Sequence, residues 1–240
     1  MKDIQSQVDI RRINIKKVGV KKVPYPITVK DKAQKIQHTI AIANLYVNLP
    51  HKFKGTHMSR FVEILNEFHG EITIKRFSSI LAKMKERLDA EASHLELEFP
   101  YFLKCEKNGR NYIAHYQCAM HGSLLDEEEF TLTIDVPISL PILEKKQQRL
   151  PGSMGRWGTV KVSVRFNQFL WIEDLLLLIE KAVERELNDG PQESVNTLSV
   201  ESLSKTVASG LEDVQEIEWF SVSAHNYGDD FSTFAAIESC

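Results

Sequence analysis

The alternation of hydrophobic and polar residues predicts strands and helices in an order that occurs twice along the chain. In the first half, residues 13–29 and 39–49 have the composition and the two-residue period of strands. Hydrophobic residues then recur at helical spacing over 59–68 and 74–88. A hairpin over 95–120 follows, because an Asn-Gly pair at its centre favours a two-residue turn.

The second half of the chain repeats this order. Its predicted elements are strands at 129–136 and 159–166, helices at 172–187 and 200–211, and strands at 216–223 and 231–237. Short links between neighbouring strands favour antiparallel pairing, so the pattern β-β-α-α-β-β, taken twice, predicts an α+β fold with antiparallel sheets. We divide the chain into two predicted modules, residues 1–125 and 126–240.

Composition narrows the class of protein. The chain has 240 residues, of which 42% are hydrophobic, and a net charge of −3. These values predict a substantial core and no general affinity for nucleic acid. We expect no membrane partner, since the apolar run at 175–179 is much shorter than a bilayer-spanning helix. The first residues lack the apolar stretch of a signal peptide, so the expected location is the cytoplasm.

The three cysteines are expected to be reduced thiols. With the Asn-Gly pair at the turn, Cys105 faces Tyr112 and Cys118 faces Phe99, so these two sulfurs are out of disulfide register. Cys240 is the last residue, and none of the three cysteines has the spacing of a metal site.

One segment concentrates groups that can bind anions. Residues 54–61, Lys-Gly-Thr-His-Met-Ser-Arg-Phe, combine a glycine, a histidine, two hydroxyls and two cations next to a predicted helix. A helix N-terminus gathers backbone donors and partial positive charge. The candidate residues for binding a phosphate or carboxylate are therefore Lys54, His57, Ser59 and Arg60. The other interpretation is an ordinary helix start that Ser59 or Thr56 caps.

Residues 54–61 also resemble the signature of the GTP cyclohydrolase IB family, metal-dependent enzymes that convert GTP to dihydroneopterin triphosphate. Further matches follow in the family's order: Leu-Asp-Ala-Glu-Ala at 88–92, Phe-Pro-Tyr-Phe at 99–102, Val-Pro-Ile-Ser-Leu at 136–140 and Trp-Ile-Glu-Asp-Leu at 171–175. The resemblance implies two tunnelling-fold modules that assemble into an oligomeric barrel, a homotetramer with sites between subunits. It also implies a purine or pterin ligand and a role in folate biosynthesis.

The metal ligands that the resemblance implies are mostly missing. The family holds zinc or manganese with a cysteine, a histidine and a glutamate, and the matching positions here are Pro141, Met154 and Glu193. Proline offers no donor atom and a thioether is a poor ligand for either metal, so the lone Glu193 is not sufficient to hold a catalytic ion. We therefore expect no metal cofactor, and the catalytic residues stay unknown.

The groups that the family places around the purine are also changed. The glutamate that is expected to grip the purine edge falls at Gly228, and both histidines that follow it in the family are absent. The remaining ligand-pocket candidates are His225, Asp229 and Asp230, because a carboxylate beside position 228 could replace the glutamate after a small backbone shift. The retained residues of 54–61 could bind a phosphate chain or could shape a subunit interface.

Three hypotheses stay open. In the first, the protein is a diverged member with no metal-dependent GTP hydrolysis, which retains a purine or pterin ligand and uses groups such as Glu193 and His225 for acid–base chemistry. In the second, it is a pseudoenzyme, a non-catalytic scaffold or regulatory subunit that assembles with itself or with an active relative. In the third, it is a genuine GTP cyclohydrolase with a rebuilt site.

Overall fold

The computed structural model describes residues 15–33, 35–51, 56–68, 70–71, 74–107, 110–139, 156–188, 199–228 and 230–239. In chain order the elements are β1 (Ile15–Asp31), β2 (Lys35–Leu49), α1 (Met58–Glu67), β3 (Gly70–Glu71), α2 (Ile74–Arg87), β4 (Ala92–Lys107), β5 (Arg110–Leu124), β6 (Glu128–Ser139), β7 (Arg156–Phe166), α3 (Ile172–Asn188), α4 (Val200–Glu212), β8 (Ile217–Tyr227) and β9 (Ser232–Glu238). The chain divides into two compact units. The first comprises Met1–Tyr101 and Cys118–Thr131, and the second comprises Phe102–Gln117 and Leu132–Cys240.

In the first unit the strand order is β3-β1-β2-β4-β5. Strand β2 pairs antiparallel with β1 and with β4, and the short β3 pairs parallel with β1. Alternate residues of β2 face the core and are almost fully buried: Ala41, Ala43, Leu45, Val47 and Leu49. Helices α1 and α2 cover this face. The Tyr25 hydroxyl on β1 donates to the Leu65 carbonyl of α1 at 3.0 Å. The Ser93 hydroxyl on β4 donates to the Leu81 carbonyl of α2 at 2.7 Å.

In the second unit the strand order is β4-β5-β6-β7-β8-β9. Strand β7 pairs antiparallel with β6 and β8, and β8 pairs antiparallel with β9. Helix α4 lies against β9, since the Ser204 hydroxyl donates to the Ala235 carbonyl at 3.2 Å. Ser199 caps α4 by accepting from the Ser202 backbone N–H at 3.0 Å, which satisfies one of the unpaired donors of the first turn.

The predicted α+β class with antiparallel pairing is confirmed, and each predicted helix and strand has a counterpart in the structure. The predicted cap of the first helix is wrong, because α1 begins at Met58 and its N-cap is His57. Neither Cys105 nor Cys118 is in a disulfide, whereas Cys240 lies outside the described residues. The module boundary at 125/126 and the oligomeric barrel stay predictions. Among the helices that the structure describes, none is long and apolar enough to cross a membrane.

Candidate functional site

The first candidate site is the start of α1 in the first unit. His57 has extended backbone angles, φ −77° and ψ 115°, and its side chain makes no capping hydrogen bond. Ser59 and Arg60 are exposed on the first turn, which contains no acidic residue. This turn therefore keeps the partial positive charge of a helix N-terminus beside the Arg60 guanidinium, an arrangement that suits an anion. Lys54, the fourth candidate, lies outside the described residues.

The second candidate site is the end of β8 in the second unit. The His225 ring stacks on Phe234, with centroids 5.8 Å apart and planes 19° apart. The His225 Nε2 atom lies 2.8 Å from the Ser223 hydroxyl, and the Tyr227 hydroxyl lies 3.1 Å from that of Thr159. The imidazole therefore contacts both the Phe234 ring and the Ser223 hydroxyl.

The turn between β8 and β9 carries the other two ligand-pocket candidates. Asp230 is exposed on this turn, and Asp229 lies outside the described residues. The Gly228 N–H donates to the Phe231 carbonyl at 3.0 Å, and a Cβ atom at Gly228 would lie only 2.6 Å from the same oxygen. The turn thus has no room for the side chain that the family resemblance implies at position 228.

The residues present do not fit the metal that the resemblance implies. Pro141, Met154 and Glu193 lie outside the described residues. Their side chains offer no donor atom, a thioether and a carboxylate, respectively, and this set does not suit zinc or manganese. Within the described part of the chain, no group of three or more histidine, cysteine, aspartate or glutamate side chains could hold a metal ion.

Sequence reasoning missed a polar cluster in the first unit, on the face of the sheet opposite the helices. The Lys17 ammonium lies 4.0 Å from the centroid of the Tyr46 ring, and the His94 ring stacks on the same residue with centroids 4.7 Å apart. His94 in turn stacks on His121. Glu96 accepts hydrogen bonds from the Tyr46 hydroxyl at 2.8 Å and from the Asn44 amide at 3.0 Å. The signal was available, because polar residues at 44, 46, 94 and 96 alternate with core residues on two predicted strands.

Burial and these contacts shift the protonation of the cluster. Burial, and then the hydrogen bond to Glu96, raises the pKa of Tyr46. Burial works to raise the pKa of Glu96, but the hydrogen bonds from Tyr46 and Asn44 outweigh it and the net shift is downward. Burial lowers the pKa of both His94 and His121. At neutral pH the cluster therefore holds a carboxylate and a phenol with two neutral imidazoles.

The second unit has a cleft of about 750 Å³ along helices α3 and α4. Three cations line it, Lys181, Arg185 and Lys205, and so do three carboxylates, of Asp174, Glu186 and Asp213. Because these charges balance, the cleft has no net charge with which to select an ionic ligand.

Comparison with known proteins gives the family. The model of a family described as type I GTP cyclohydrolase folE2 matches residues 1–189. The chain is 43% identical to the GTP cyclohydrolase FolE2 of Syntrophobacter fumaroxidans (strain DSM 10017 / MPOB), with 99% of both chains covered. It is 39% identical to the GTP cyclohydrolase FolE2 of Syntrophotalea carbinolica (strain DSM 2380 / NBRC 103641 / GraBd1), with 99% of this chain and 95% of that one covered.

Solved structures support the fold. Urate oxidase from Bacillus sp. TB-90 superposes with a TM-score of 0.59 at 9% identity, covering 94% of this chain and 99% of that one. This likeness concerns the fold alone. The relationship to GTP cyclohydrolases that the motifs indicated is confirmed at the level of the family, which the comparisons name folE2 rather than IB. The chain belongs to the GTP cyclohydrolase FolE2 family.

Proposed function

We propose that this protein binds a purine or pterin ligand of the GTP type, as a GTP cyclohydrolase-family protein that has lost the family's metal-dependent hydrolysis of GTP. One observation carries the proposal. The chain matches its relatives over nearly its whole length, yet Pro141 and Met154 stand at two of the three metal-ligand positions that the resemblance implies.

The chemistry of these positions supports the loss of hydrolysis. A catalytic zinc ion takes three protein ligands and lowers the pKa of its bound water so that hydroxide forms near neutral pH. With Glu193 as the lone remaining ligand, that water has no metal to activate it. The protein is therefore proposed to lack the family's nucleophile, and its catalytic residues stay unknown.

The retained groups support a ligand of the family's class. In the first unit, Lys54, His57, Ser59 and Arg60 are proposed to bind an anion, because the first turn of α1 has no acidic residue and Arg60 is exposed. In the second unit, His225, Asp229 and Asp230 are separately proposed to contact a purine or pterin ring. The protein is also proposed to form a homo-oligomer, as the family resemblance implies, and to lie in the cytoplasm, as the sequence predicts.

A second candidate function is GTP cyclohydrolase activity with a rebuilt site. The observation that favours it is the 43% identity, over 99% of both chains, to a protein named GTP cyclohydrolase FolE2. Under this candidate, ligands other than residues 141 and 154 would have to hold the metal.

The deciding experiment is GTP turnover by the purified full chain with added zinc or manganese, read by the fluorescence of the pteridine product. The FolE2 of Syntrophobacter fumaroxidans is the positive control. We expect no turnover, together with saturable binding of GTP or neopterin in EDTA by titration calorimetry. Turnover comparable to the control would overturn the proposal in favour of the second candidate, and absence of both turnover and binding would favour the non-catalytic scaffold.

A further inference from the structure

Helices α3 and α4 of the second unit run antiparallel, and two contacts fix their levels relative to each other. The Thr206 hydroxyl of α4 donates to the Glu186 carboxylate near the end of α3 at 2.8 Å. Two turns back along α3, the Leu178 side chain lies 3.3 Å from the position that a Cβ atom on Gly210 of α4 would take. Residue numbers therefore rise along one helix where they fall along the other.

The charges that line the cleft between these helices are separated along it. In the antiparallel pair, Arg185 of α3 and Lys205 of α4 lie at one end of the cleft, and Asp174 of α3 and Asp213 of α4 lie at the other. The cationic end also contains the Glu186 carboxylate, which accepts hydrogen bonds from two hydroxyls of α4. The cleft is thus balanced in total charge but positive at one end and negative at the other.

The negative end carries a carboxylate that its own helix does not offset. Asp213 is the C-cap residue of α4, and the last turn of this helix has no basic residue. A helix C-terminus has partial negative charge, so a carboxylate there is unfavourable without a cation. Asp213 and Lys205 are exposed, and neither forms an ion pair with another residue in the described part of the chain.

The charged positions share one centre of symmetry. On α3 the midpoint between Asp174 and Arg185 falls at 179–180, and on α4 the midpoint between Lys205 and Asp213 falls at 209. Both midpoints lie within two residues of the contact between the helices, so they are at one level along the cleft. A two-fold axis at this level, perpendicular to the helices, brings each acid of one copy opposite a cation of a second copy on both helices.

The centre of this face is apolar. Leu177 is 45% exposed beside the cleft, whose middle is lined by Leu178, Ala182 and Gly210. The same two-fold axis brings Leu177 opposite Ala182 of the second copy, where a small side chain leaves room for it. An exposed apolar centre with charges at its ends is the arrangement of a protein contact.

The size of the face sets the strength of such a contact. Helix α3 has 17 residues, so it is about 25 Å long, and two adjacent helices are about 20 Å wide. Pairing of two copies would bury about 500 Å² on each, or about 1,000 Å² in total, which is near the lower limit of specific interfaces. The contact is therefore weak by itself and adds to other contacts of an oligomer.

We propose that the outer face of α3 and α4 is a contact between two copies of this chain related by a two-fold axis. Arg185 pairs with Asp174 of the second copy, Lys205 pairs with Asp213 of the second copy, and Leu177 packs between them. This inference rests on the homo-oligomer in the proposed function and names a face that forms it. The ion pairs fix the relative position of the copies, and the apolar centre is removed from water.

The test exchanges charges on the full chain. Lys205→Glu and Asp213→Lys each place like charges at two positions, because the two-fold axis repeats the pair. The double variant and an equimolar mixture of the two single variants each restore opposite charges at both positions. The control is Glu201→Lys, an exposed acid of α4 that does not line the cleft. Molecular mass is measured by sedimentation velocity over a concentration series, and circular dichroism confirms that each variant is folded.

We expect the mass of the unmodified chain to double with rising concentration. Each single variant should need a concentration about tenfold higher or more for the same doubling, since like charges face each other across the contact. The double variant, the mixture and the control should double within threefold of the concentration that the unmodified chain requires. Asp213→Lys is expected to stay folded, because a cation suits a helix C-terminus.

Three results overturn the inference in distinguishable ways. If the unmodified chain is a monomer at every concentration, the proposed homo-oligomer fails together with this face, whereas the proposed ligand is tested separately by calorimetry. If the chain is an oligomer and neither single variant changes its mass, the oligomer stands and another face forms it. If both single variants lower the mass but neither the double variant nor the mixture restores it, the two charges do not pair across a two-fold axis.

Discussion

His94 and His121 stack with their ring planes 3° apart and their centroids 6.2 Å apart. Burial lowers the pKa of both imidazoles, the His121 ring lowers that of His94 further, and the Lys17 ammonium lowers both. Glu96 and Glu129 act in the opposite direction but do not reverse the shift. Both histidines are therefore neutral at neutral pH and accept a proton less readily than an unperturbed imidazole does.

This stack predicts a loss of stability in mild acid. The folded pKa of each histidine lies below its unfolded value of about 6.5, so the unfolded chain binds more protons as the pH falls through that value. The contribution of the two histidines to the free energy of unfolding is fully present above the unfolded pKa. As the pH falls, this contribution begins to decrease near the unfolded pKa, and it stops decreasing below the folded pKa. Urea unfolding should show a midpoint that is lower at pH 5.5 than at pH 8.

The control for this prediction is His121→Gln, which removes one titrating ring and the repulsion it exerts on His94. The midpoint of this variant should change less between the two pH values than that of the unmodified chain. An equal change in both proteins would show that other groups govern the acid sensitivity.

Glu96 and Tyr46 are predicted to be energetically coupled. The Tyr46 side chain is buried and its hydroxyl donates to the Glu96 carboxylate, which also accepts from Asn44. Tyr46→Phe should lower the free energy of unfolding by about 1–3 kcal/mol, because a charged acceptor loses one of its donors. A double-mutant cycle with Glu96→Gln, measured by urea unfolding, should show that the two losses are not additive. Strict additivity would mean that the bond contributes nothing.

Two glycines are predicted to be irreplaceable because strands approach closely there. A Cβ atom at Gly158 would lie 1.8 Å from the His225 carbonyl oxygen, and one at Gly19 would lie 1.9 Å from that of Leu45. Either change to alanine must move a paired strand, so each should cost about 3 kcal/mol or more of unfolding free energy.

Gly210 is the matched control for these glycines. It lies within α4, and a Cβ atom there would meet only the Leu178 side chain, at 3.3 Å. Gly210→Ala should stay within about 1 kcal/mol of the unmodified chain in thermal unfolding, since the gain in helix propensity offsets the crowding. A large loss at this position would imply that α3 and α4 pack too rigidly to adjust.

At the start of α1, a substitution that raises the stability of the protein is predicted to weaken anion binding. His57→Asp would supply the side-chain cap that His57 lacks, and should raise the free energy of unfolding by about 1 kcal/mol. The same carboxylate would occupy the donors and repel an anion. Affinity for GTP, measured by calorimetry, should therefore fall as stability rises. A gain in stability with unchanged affinity would place the anion elsewhere.

The helices and strands were predictable because their burial follows the local period of the sequence. Phe77, Ile80, Leu81, Met84 and Leu88 recur at helical spacing, and each of them is buried in the structure. The two-residue β3 was not predictable, since it forms only where Gly70 and Glu71 happen to lie beside β1. A cap such as His57 likewise depends on where the chain enters the helix rather than on residue preference.

The candidate sites were less predictable than the fold because they depend on strand register. His94 and Tyr46 are far apart in the sequence, and only the pairing of β2 with β4 places their rings in contact. The same holds for His225 and Phe234 across β8 and β9. The chemistry of a single position could be predicted from the residue type without knowing the strand register. A proline at 141, for example, lacks a side-chain donor atom in any conformation.

Restoring two ligands is predicted to create a metal site. The double variant Pro141→Cys with Met154→His would combine a thiolate, an imidazole and the existing Glu193 carboxylate, a donor set that suits zinc. We expect one zinc ion per chain after dialysis, measured by plasma mass spectrometry, and none in the unmodified chain. Either single variant serves as the control, since two ligands should not retain the ion through dialysis. Stoichiometric zinc in the unmodified chain would show instead that other residues already bind it, and would favour the rebuilt cyclohydrolase.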